Sequence, residues 1–448
     1  VVRNSLGELV WRPGWNQLVK VPPTRVVATH GWDGEVTYDT ATAATAGAAT
    51  LSDDLYSPVE GTAVIKFSGM TGTGANSVEW LNRVDIAPAT DDVWIVAVHL
   101  GKLSGASVKL RLGGDLANFS TSSTYRTYVW NPARLRLGWN FLTCAHTEIN
   151  VGATEYGVVG NCTQGTWIEG ASFDATAQVK SLKIEIGGSN DAANCYVAGV
   201  WRAPRGWCRS AIMLGADDVP TSFFERAIPM IEARGLPYHL NVATQFTRQA
   251  GTYMTMDQVR ECANRGAEIL AHTNRHSNAS TDTEAVVTAD IARARVVMLG
   301  QGFGDAGRGM AWPFNVSNAA SEASAKSQGY KWARSATGAY INSWQPAHRM
   351  YALPSISFEA TNSWHTDSEI RRLRDLGLAG IAYMHSTDAG GSSSNTSPGS
   401  SRHYEAHLRR WLDQIAEYCA EGEMVALTIS DYWKAVGVDV DSTGGVEI

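Results

Sequence analysis

Glu268-Ile269-Leu270-Ala271-His272-Thr273-Asn274-Arg275-His276 is the stretch on which the reading of this chain turns. An apolar run ends in two histidines four residues apart. If the chain turns into a helix after Ala271, both imidazoles lie on one face and can hold one metal ion. Two imidazoles do not make a site. Hydrolytic metal centres take a third protein ligand and keep a position open for water. A histidine pair at this spacing is more often incidental than not. What the neighbouring strand ends supply decides the matter.

Outward from this stretch, short apolar runs alternate with helical periodicity. Upstream, Ser210-Ala211-Ile212-Met213-Leu214 reads as a strand and leads to Asp217 and Asp218. Phe223, Phe224, Ile228 and Ile231 then recur at helical spacing over 222–234, and Gly235 ends that helix. Pro237 to Val242 reads as a strand, and Thr255-Met256-Asp257-Gln258 as a capping box. Downstream, Thr281-Asp282-Thr283-Glu284 is a second capping box, and 318–328 reads as helical. Ala379 to Met384 reads as a strand ending at His385, and His403 to Ala420 as one amphipathic helix. Alternating strands and helices, with polar residues at the strand ends, predict a parallel α/β sheet or barrel.

Four stations follow these strands: Asp217 with Asp218, His272 with His276, Trp312-Pro313-Phe314, and His385. Each alone has an ordinary explanation. An Asp pair caps a helix, a proline marks a turn, and a lone histidine at a strand end is usually structural. In this order, however, they resemble the motifs of the polysaccharide deacetylase family, also called carbohydrate esterase family 4 or NodB-homology domains. Leu214-Gly215-Ala216-Asp217-Asp218-Val219 is similar to the family's first motif. His272-Thr273-Asn274-Arg275-His276 matches the second in full, Met310-Ala311-Trp312-Pro313-Phe314-Asn315 resembles the third, and Ala382-Tyr383-Met384-His385 the last. The resemblance covers about residues 208–435.

The resemblance implies a distorted (β/α) barrel and metal-dependent removal of N- or O-acetyl groups from a polysaccharide. Asp218, His272 and His276 would ligate one divalent metal ion, usually zinc in this family. Such an ion activates water and polarises the acetyl carbonyl. Asp217 would take the proton from that water. The Phe314 N–H would help hold the oxyanion, and His385 would protonate the leaving group, a task suited to an imidazole. Trp312 and Pro313 would bind substrate. The chain departs from the family pattern at Val219 (usually Gly), Ala216 (usually Phe) and Trp312, where many members carry Arg. The arginine that would orient the base is therefore missing from the third motif, and the partner of Asp217 stays unassigned. Asp431 and Trp433 lie near the place of the family's fourth motif, but capping and packing the last helix explain them equally well.

The first half differs in texture. Runs rich in β-branched and aromatic residues, such as Thr62 to Phe67, Val93 to Leu100, Val108 to Leu112 and Val179 to Ile186, recur between turn-forming clusters, and several, Val179 to Ile186 most cleanly, alternate apolar and polar residues. They predict an all-β sandwich of jelly-roll type. Ala203-Pro204-Arg205-Gly206 marks the break. The expected organisation is an N-terminal segment over 1–30 with Trp11 and Trp15, a β-sandwich over 31–205 for carbohydrate binding or assembly, and a catalytic domain over 206–448.

Composition narrows the function classes. A net charge of −7 over 448 residues provides no basic field for nucleic acid. No run approaches the length of a membrane-spanning helix. Six cysteines without a Cys-x-x-Cys pair argue against a zinc ribbon. The residues at the start lack the apolar core of a signal peptide. The expectation is an extracellular or virion-associated protein, such as a bacteriophage tail component, acting on an acetylated polysaccharide and able to form homo-oligomers through its β-domain. The alternative is a non-catalytic carbohydrate-binding or adhesion protein that reuses the deacetylase fold. The intact Asp, His, His and final His weigh against it.

Overall fold

The computed structural model describes residues 195–304, 308–335, 341–342, 350–358, 363–389 and 402–436. Before these it describes 2–3, 9–10, 18–21, 23–28, 38, 40–42, 48–52, 64–68, 75–87, 92–101, 107–114, 116, 118–119, 125–130, 135, 138–146, 165–169 and 178–187. Trp11, Trp15, Cys162 and residues 390–401 lie outside the described residues. The chain forms two compact units, one over Val1–Ala153 and Val158–Cys208, the other over Thr154–Gly157 and Arg209–Ile448.

The first unit is built from antiparallel strands. One six-stranded sheet runs in the order Gly165–Glu169, Tyr125–Trp130, Ser107–Gly113, Ser181–Gly187, Asn76–Trp80 and Thr40–Thr42. A second contains Gly138–Ala145, Asp92–Leu100, Cys195–Pro204, Val64–Ser68 and Ala48–Ser52, with Thr24–Ala28 also on Cys195–Pro204. Strict alternation explains the pairing of faces. Val108, Leu110 and Leu112 are buried, while Lys109 and Arg111 between them reach Glu185 on the next strand. Leu110, Leu182 and Trp130 of the first sheet share one hydrophobic core with Trp94, Val96 and Val197 of the second. Eight of the sixteen tryptophans lie fully buried among the described residues, so at least half of the high Trp count goes to core packing.

The second unit is a curled, mostly parallel sheet, consistent with a (β/α) barrel. Its order is Trp332–Arg334, Gly309–Ala311, Glu268–Ala271, Tyr238–Val242, Ser210–Asp217, Leu378–Met384 and Ile341–Asn342. Ile356–Ser357 also pairs with Leu378–Met384, and Met424–Ala426 with Ser210–Asp217. Only Ile341–Asn342 runs antiparallel. Every residue of Ser210–Asp217, Tyr238–Val242 and Glu268–Ala271 is buried, as expected of strands covered on both faces. Two glycines let bulky rings cross the sheet. A Cβ on Gly215 would lie 2.1 Å from His239 Nε2, and one on Gly309 would lie 1.9 Å from Trp332.

The helices follow local chemistry. Thr255 and Gln258 form the expected capping box of Met256–Asn264. Glu284–Gly300 is capped by Thr283 rather than Thr281, the Thr283 hydroxyl accepting from Val286 N, while Asp282 accepts from Asn278 N at 2.7 Å. The helix read over 222–234 opens as a wide π turn, Phe223–Ala227, before Ile228–Glu232. Pro229 has no N–H to bond the Glu225 carbonyl, so the regular ladder cannot form there. The last amphipathic helix is Glu405–Ala420, and His403 belongs instead to the short strand Arg402–Tyr404, paired with Ser386–Asp388. Thr428 caps Ile429–Ala435 by accepting from Asp431 N, the Asp431 carboxylate accepts from the Thr428 hydroxyl and pairs with Lys434, and Trp433 is buried. No helix among the described residues is long and apolar enough to cross a membrane.

Candidate active site

Parallel strands bring their C-terminal ends to one rim of the sheet, where loops can carry chemistry. Asp217 closes Ser210–Asp217, His272 follows Glu268–Ala271, Trp312 follows Gly309–Ala311, and His385 follows Leu378–Met384. The four stations are thus gathered by the fold itself.

The two histidines are not on a helix. Residues 272–276 form a tight loop in which Thr273 and His276 take left-handed backbone, φ 58° and 64°. Asp290, 2 % exposed on the helix Glu284–Gly300, holds this loop by accepting from Arg275 N at 2.9 Å and Ser277 N at 3.2 Å. Thr244 adds a hydrogen bond to Asn274 Oδ1 at 2.9 Å. The loop, rather than helical spacing, turns both imidazoles to the same place, with their Nε2 atoms 3.2 Å apart. Asp218 Oδ1 lies 3.7 Å from His272 Nε2 and 3.4 Å from His276 Nε2. Among the described residues these three side chains form the one cluster with the spacing of a metal site.

Four features fit a cation. Metal bonds of about 2.0–2.2 Å to nitrogen and oxygen at tetrahedral angles separate the ligand atoms by roughly 3.4 Å, close to the distances here. His272 Nδ1 donates to Ala311 O at 2.9 Å, which leaves Nε2 as the lone-pair nitrogen facing Asp218. Asp218 Oδ1 is buried without a hydrogen-bond partner among the described residues, a costly state unless something positive meets it. Burial, reinforced by neighbouring His272, pushes the His276 imidazolium down below its usual range, which favours the neutral, ligating form. Phe246 stacks along the His276 ring at 5.7 Å, and Phe314 meets it edge-on at 4.6 Å.

Asp217 sits in a different environment. It is 3 % exposed, accepts from Asn241 Nδ2 at 2.8 Å and pairs with Arg334 at 2.5 Å. Burial would raise its pKa, but the Arg334 guanidinium, helped by His272, His385 and the Asn241 hydrogen bond, holds it well below the usual carboxylate range. Arg334 is the partner absent from the third motif. It arrives from the next strand, Trp332–Arg334, and also reaches Asn315 Oδ1 at 3.1 Å and Ser355 Oγ at 3.2 Å. Its guanidinium lies over the Tyr383 ring at 4.8 Å. Sequence reasoning missed Arg334, Asn241 and Asp290. Only their positions just inside or beyond strands and helices signalled them.

The third station divides. Trp312, expected to bind substrate, is 1 % exposed and donates its Nε1–H to Tyr351 O at 2.7 Å, so it is a core residue. Pro313 is buried as well. Phe314 is 56 % exposed and, with Asn315, takes left-handed backbone. The hydrogen bonds of this turn run from Asn315 N to Trp312 O and from Val316 N to Pro313 O. His385 Nε2 lies 3.8 Å from Asp218 Oδ2, on the opposite side of that carboxylate from the histidine pair's partner oxygen. Six of the seven non-glycine residues with left-handed backbone among the described residues are here: Asp218, Val219, Thr273, His276, Phe314 and Asn315. Strained backbone of this kind gathers at functional sites, and for the β-branched Val219, where the family usually has Gly, it is a true outlier.

Residues 208–333 match the family model described as polysaccharide deacetylase. No curated protein matches the chain. Among solved structures, the chain is similar to a family 4 carbohydrate esterase from Streptomyces lividans in complex with acetate, at 16% identity over 50% of this chain and 94% of that one, TM-score 0.35. It is also similar to a family 4 acetyl xylan esterase from Clostridium thermocellum in complex with a cobalt ion, at 15% identity over 53% and 96%, TM-score 0.37. A third is the Xyl-CE4 domain of a multidomain xylanase from the hindgut metagenome of Trinervitermes trinervoides, at 14% identity over 52% and 94%, TM-score 0.36. The family match, on the residues that carry the first three stations, identifies the second unit as a polysaccharide deacetylase domain of the NodB type, a carbohydrate esterase.

Proposed function

We propose that this domain removes acetyl groups, N- or O-linked, from a polysaccharide with the help of one divalent metal ion held by Asp218, His272 and His276. The observation that carries this reading is the buried, unpartnered Asp218 Oδ1 facing the Nε2 atoms of both histidines. A nitrogen, nitrogen, oxygen donor set favours zinc. When bound, such an ion supplies Lewis-acid activation of water and of the acetyl carbonyl.

The chain's own residues do the rest. Asp217 is the base, kept ionised by Arg334 and fixed in direction by Asn241. The Phe314 N–H, not used in its own turn, is the donor for the oxyanion, a contact typically worth about 3 kcal/mol. His385, 23 % exposed beside Asp218, delivers a proton to the leaving nitrogen or oxygen. Phe246 and Phe314 hold the His276 ring from two directions. The shared core of the two antiparallel sheets supports reading the first unit as a β-sandwich that docks the glycan or assembles the protein. That pairing of units suits a protein directed at surface glycans, extracellular or carried on a virion.

Acetate release tests this reading on N-acetylated and O-acetylated glycans, with p-nitrophenyl acetate as a minimal substrate. The parent should release acetate from at least one glycan class. Asp217→Asn should lower kcat by roughly 10²–10⁴-fold, the usual worth of a general base. Undiminished acetate release by Asp217→Asn would remove Asp217 from the role of base.

A further inference from the structure

Arg334 ends the strand Trp332–Arg334, four strands away from Asp217 in the order of the sheet. Its side chain crosses the curled interior to reach that carboxylate. Nη2 pairs with Asp217, and Nη1 donates to Asn315 Oδ1 at 3.1 Å and to Ser355 Oγ at 3.2 Å. Nε is buried without a hydrogen-bond partner among the described residues. Hydrogen bonds in the plane of the fork set its direction but resist tilting only weakly. A contact on the flat face is what fixes the plane of such a cation.

Tyr383 supplies that contact. The guanidinium carbon lies 4.8 Å from the Tyr383 ring centroid, inside the roughly 6 Å over which a cation is drawn to an aromatic face. Arg334 is fully buried and Tyr383 half-buried near the end of Leu378–Met384. Water competes little there, the condition under which such a contact is strongest. The residue that carries the ring is itself anchored. The Tyr383 carbonyl accepts from Phe358 N at 3.0 Å, and Tyr383 stands in parallel register with Gly215 on one side and Ser357 on the other. Residues paired across strands share a face, as do residues two apart on one strand. Tyr383 therefore looks into the same interior as Gly215 and Asp217, the interior that Arg334 crosses.

We propose that Tyr383 is a positioning residue, whose ring holds the Arg334 guanidinium in the plane that aims the Asp217 carboxylate. This rests on the deacetylase reading above, which makes Asp217 the base. The Tyr383 ring also meets His385 edge-on at 6.0 Å, so the test separates a loss felt through Arg334 from one felt through His385. It is a double-mutant cycle on the full, zinc-reconstituted chain, read as kcat and KM for p-nitrophenyl acetate. Tyr383→Leu, which keeps an apolar side chain but no ring, should lower kcat roughly tenfold, the scale of one desolvated cation–π contact, and move KM by less than about twofold. Tyr383→Phe keeps the ring and should recover most of that loss. In an Arg334→Met background, Tyr383→Leu should cost less than about twofold, because the ring has nothing left to hold. Losses that simply multiply, full kcat in Tyr383→Leu, or a Tyr383→Phe as impaired as Tyr383→Leu would each overturn the proposal. A readout free of activity keeps the proposal apart from the deacetylase reading. The Arg334 Nε–H resonance, assigned by its loss in Arg334→Met, is shielded by the ring beneath it. It should move downfield in Tyr383→Leu and stay in place in Tyr383→Phe. An unmoved resonance in Tyr383→Leu would overturn the clamp whatever the activity. A parent whose resonance behaves as expected but that hydrolyses no p-nitrophenyl acetate would count against the deacetylase reading instead.

Discussion

Arg334 shows how one residue sets the behaviour of another. It is 1 % exposed and touches Asp217, Asn315 and Ser355, so its planar fork spans the proposed base and the turn that presents Phe314. Removing it leaves Asp217 buried and unpaired, a change that costs roughly 3–5 kcal/mol of stability. Arg334→Met should therefore lower kcat by about 10²-fold or more, while zinc binding persists because Arg334 touches no proposed ligand. Arg334→Lys should recover part of the loss, since it keeps the charge without the fork. The check is kcat, KM and zinc content on the same samples. Full kcat in Arg334→Met would show that Asp217 needs no such partner. The Asp pair, the two histidines and His385 were legible in the sequence because each sits at a fixed offset from an apolar run. Arg334 was not. It lies 22 residues beyond Trp312 at the end of a three-residue strand, and only the parallel pairing of Gly309–Ala311 with Trp332–Arg334 brings it to Asp217.

Among elements, the short strands and loops carry more of the function than the helices. Periodicity located the strands well, because a strand covered on both faces is an unbroken apolar run. The helix considered for residues 272–276 does not form, since a four-residue spacing is shared by helices and by a tight loop with two left-handed residues. The same ambiguity placed His403 in a helix. The structure puts it in the strand Arg402–Tyr404, fully buried, with Nε2 2.9 Å from Thr387 Oγ1. Burial, with His407 and His385 nearby, pushes its pKa down to about 3. The sign follows from proton counting. Between about pH 6.5 and 3 the unfolded chain binds a proton that the folded chain does not, so stability is full above 6.5 and falls as pH drops through this window. Each such group contributes a slope of about 1.4 kcal/mol per pH unit, and buried His239, also pushed down to about 3, acts in the same direction. On moving from pH 6.5 to 5, the parent should lose on the order of 2 kcal/mol more stability than His403→Gln. Urea unfolding at several pH values reads this directly, and parallel stability curves would contradict it.

At the scale of the molecule, a β-rich unit with its own core is joined in one chain to a deacetylase unit with its own sheet. The backbone strain at the candidate site is concentrated in Asp218, Val219, Thr273, His276, Phe314 and Asn315, while the strands beneath them are buried and regular. That division suits a rigid scaffold holding a preorganised site. It also means that ion binding should be felt by the whole second unit, since an ion that binds only the folded chain stabilises it by about 2.7 kcal/mol at a hundredfold excess over Kd. The most direct measurement is a calorimetric zinc titration of the full chain, in the parent, in Asp217→Asn and in His272→Ala. The account predicts one ion per chain in the parent and in Asp217→Asn, and loss of that binding in His272→Ala. No zinc bound by the parent, or undiminished binding by His272→Ala, would contradict it.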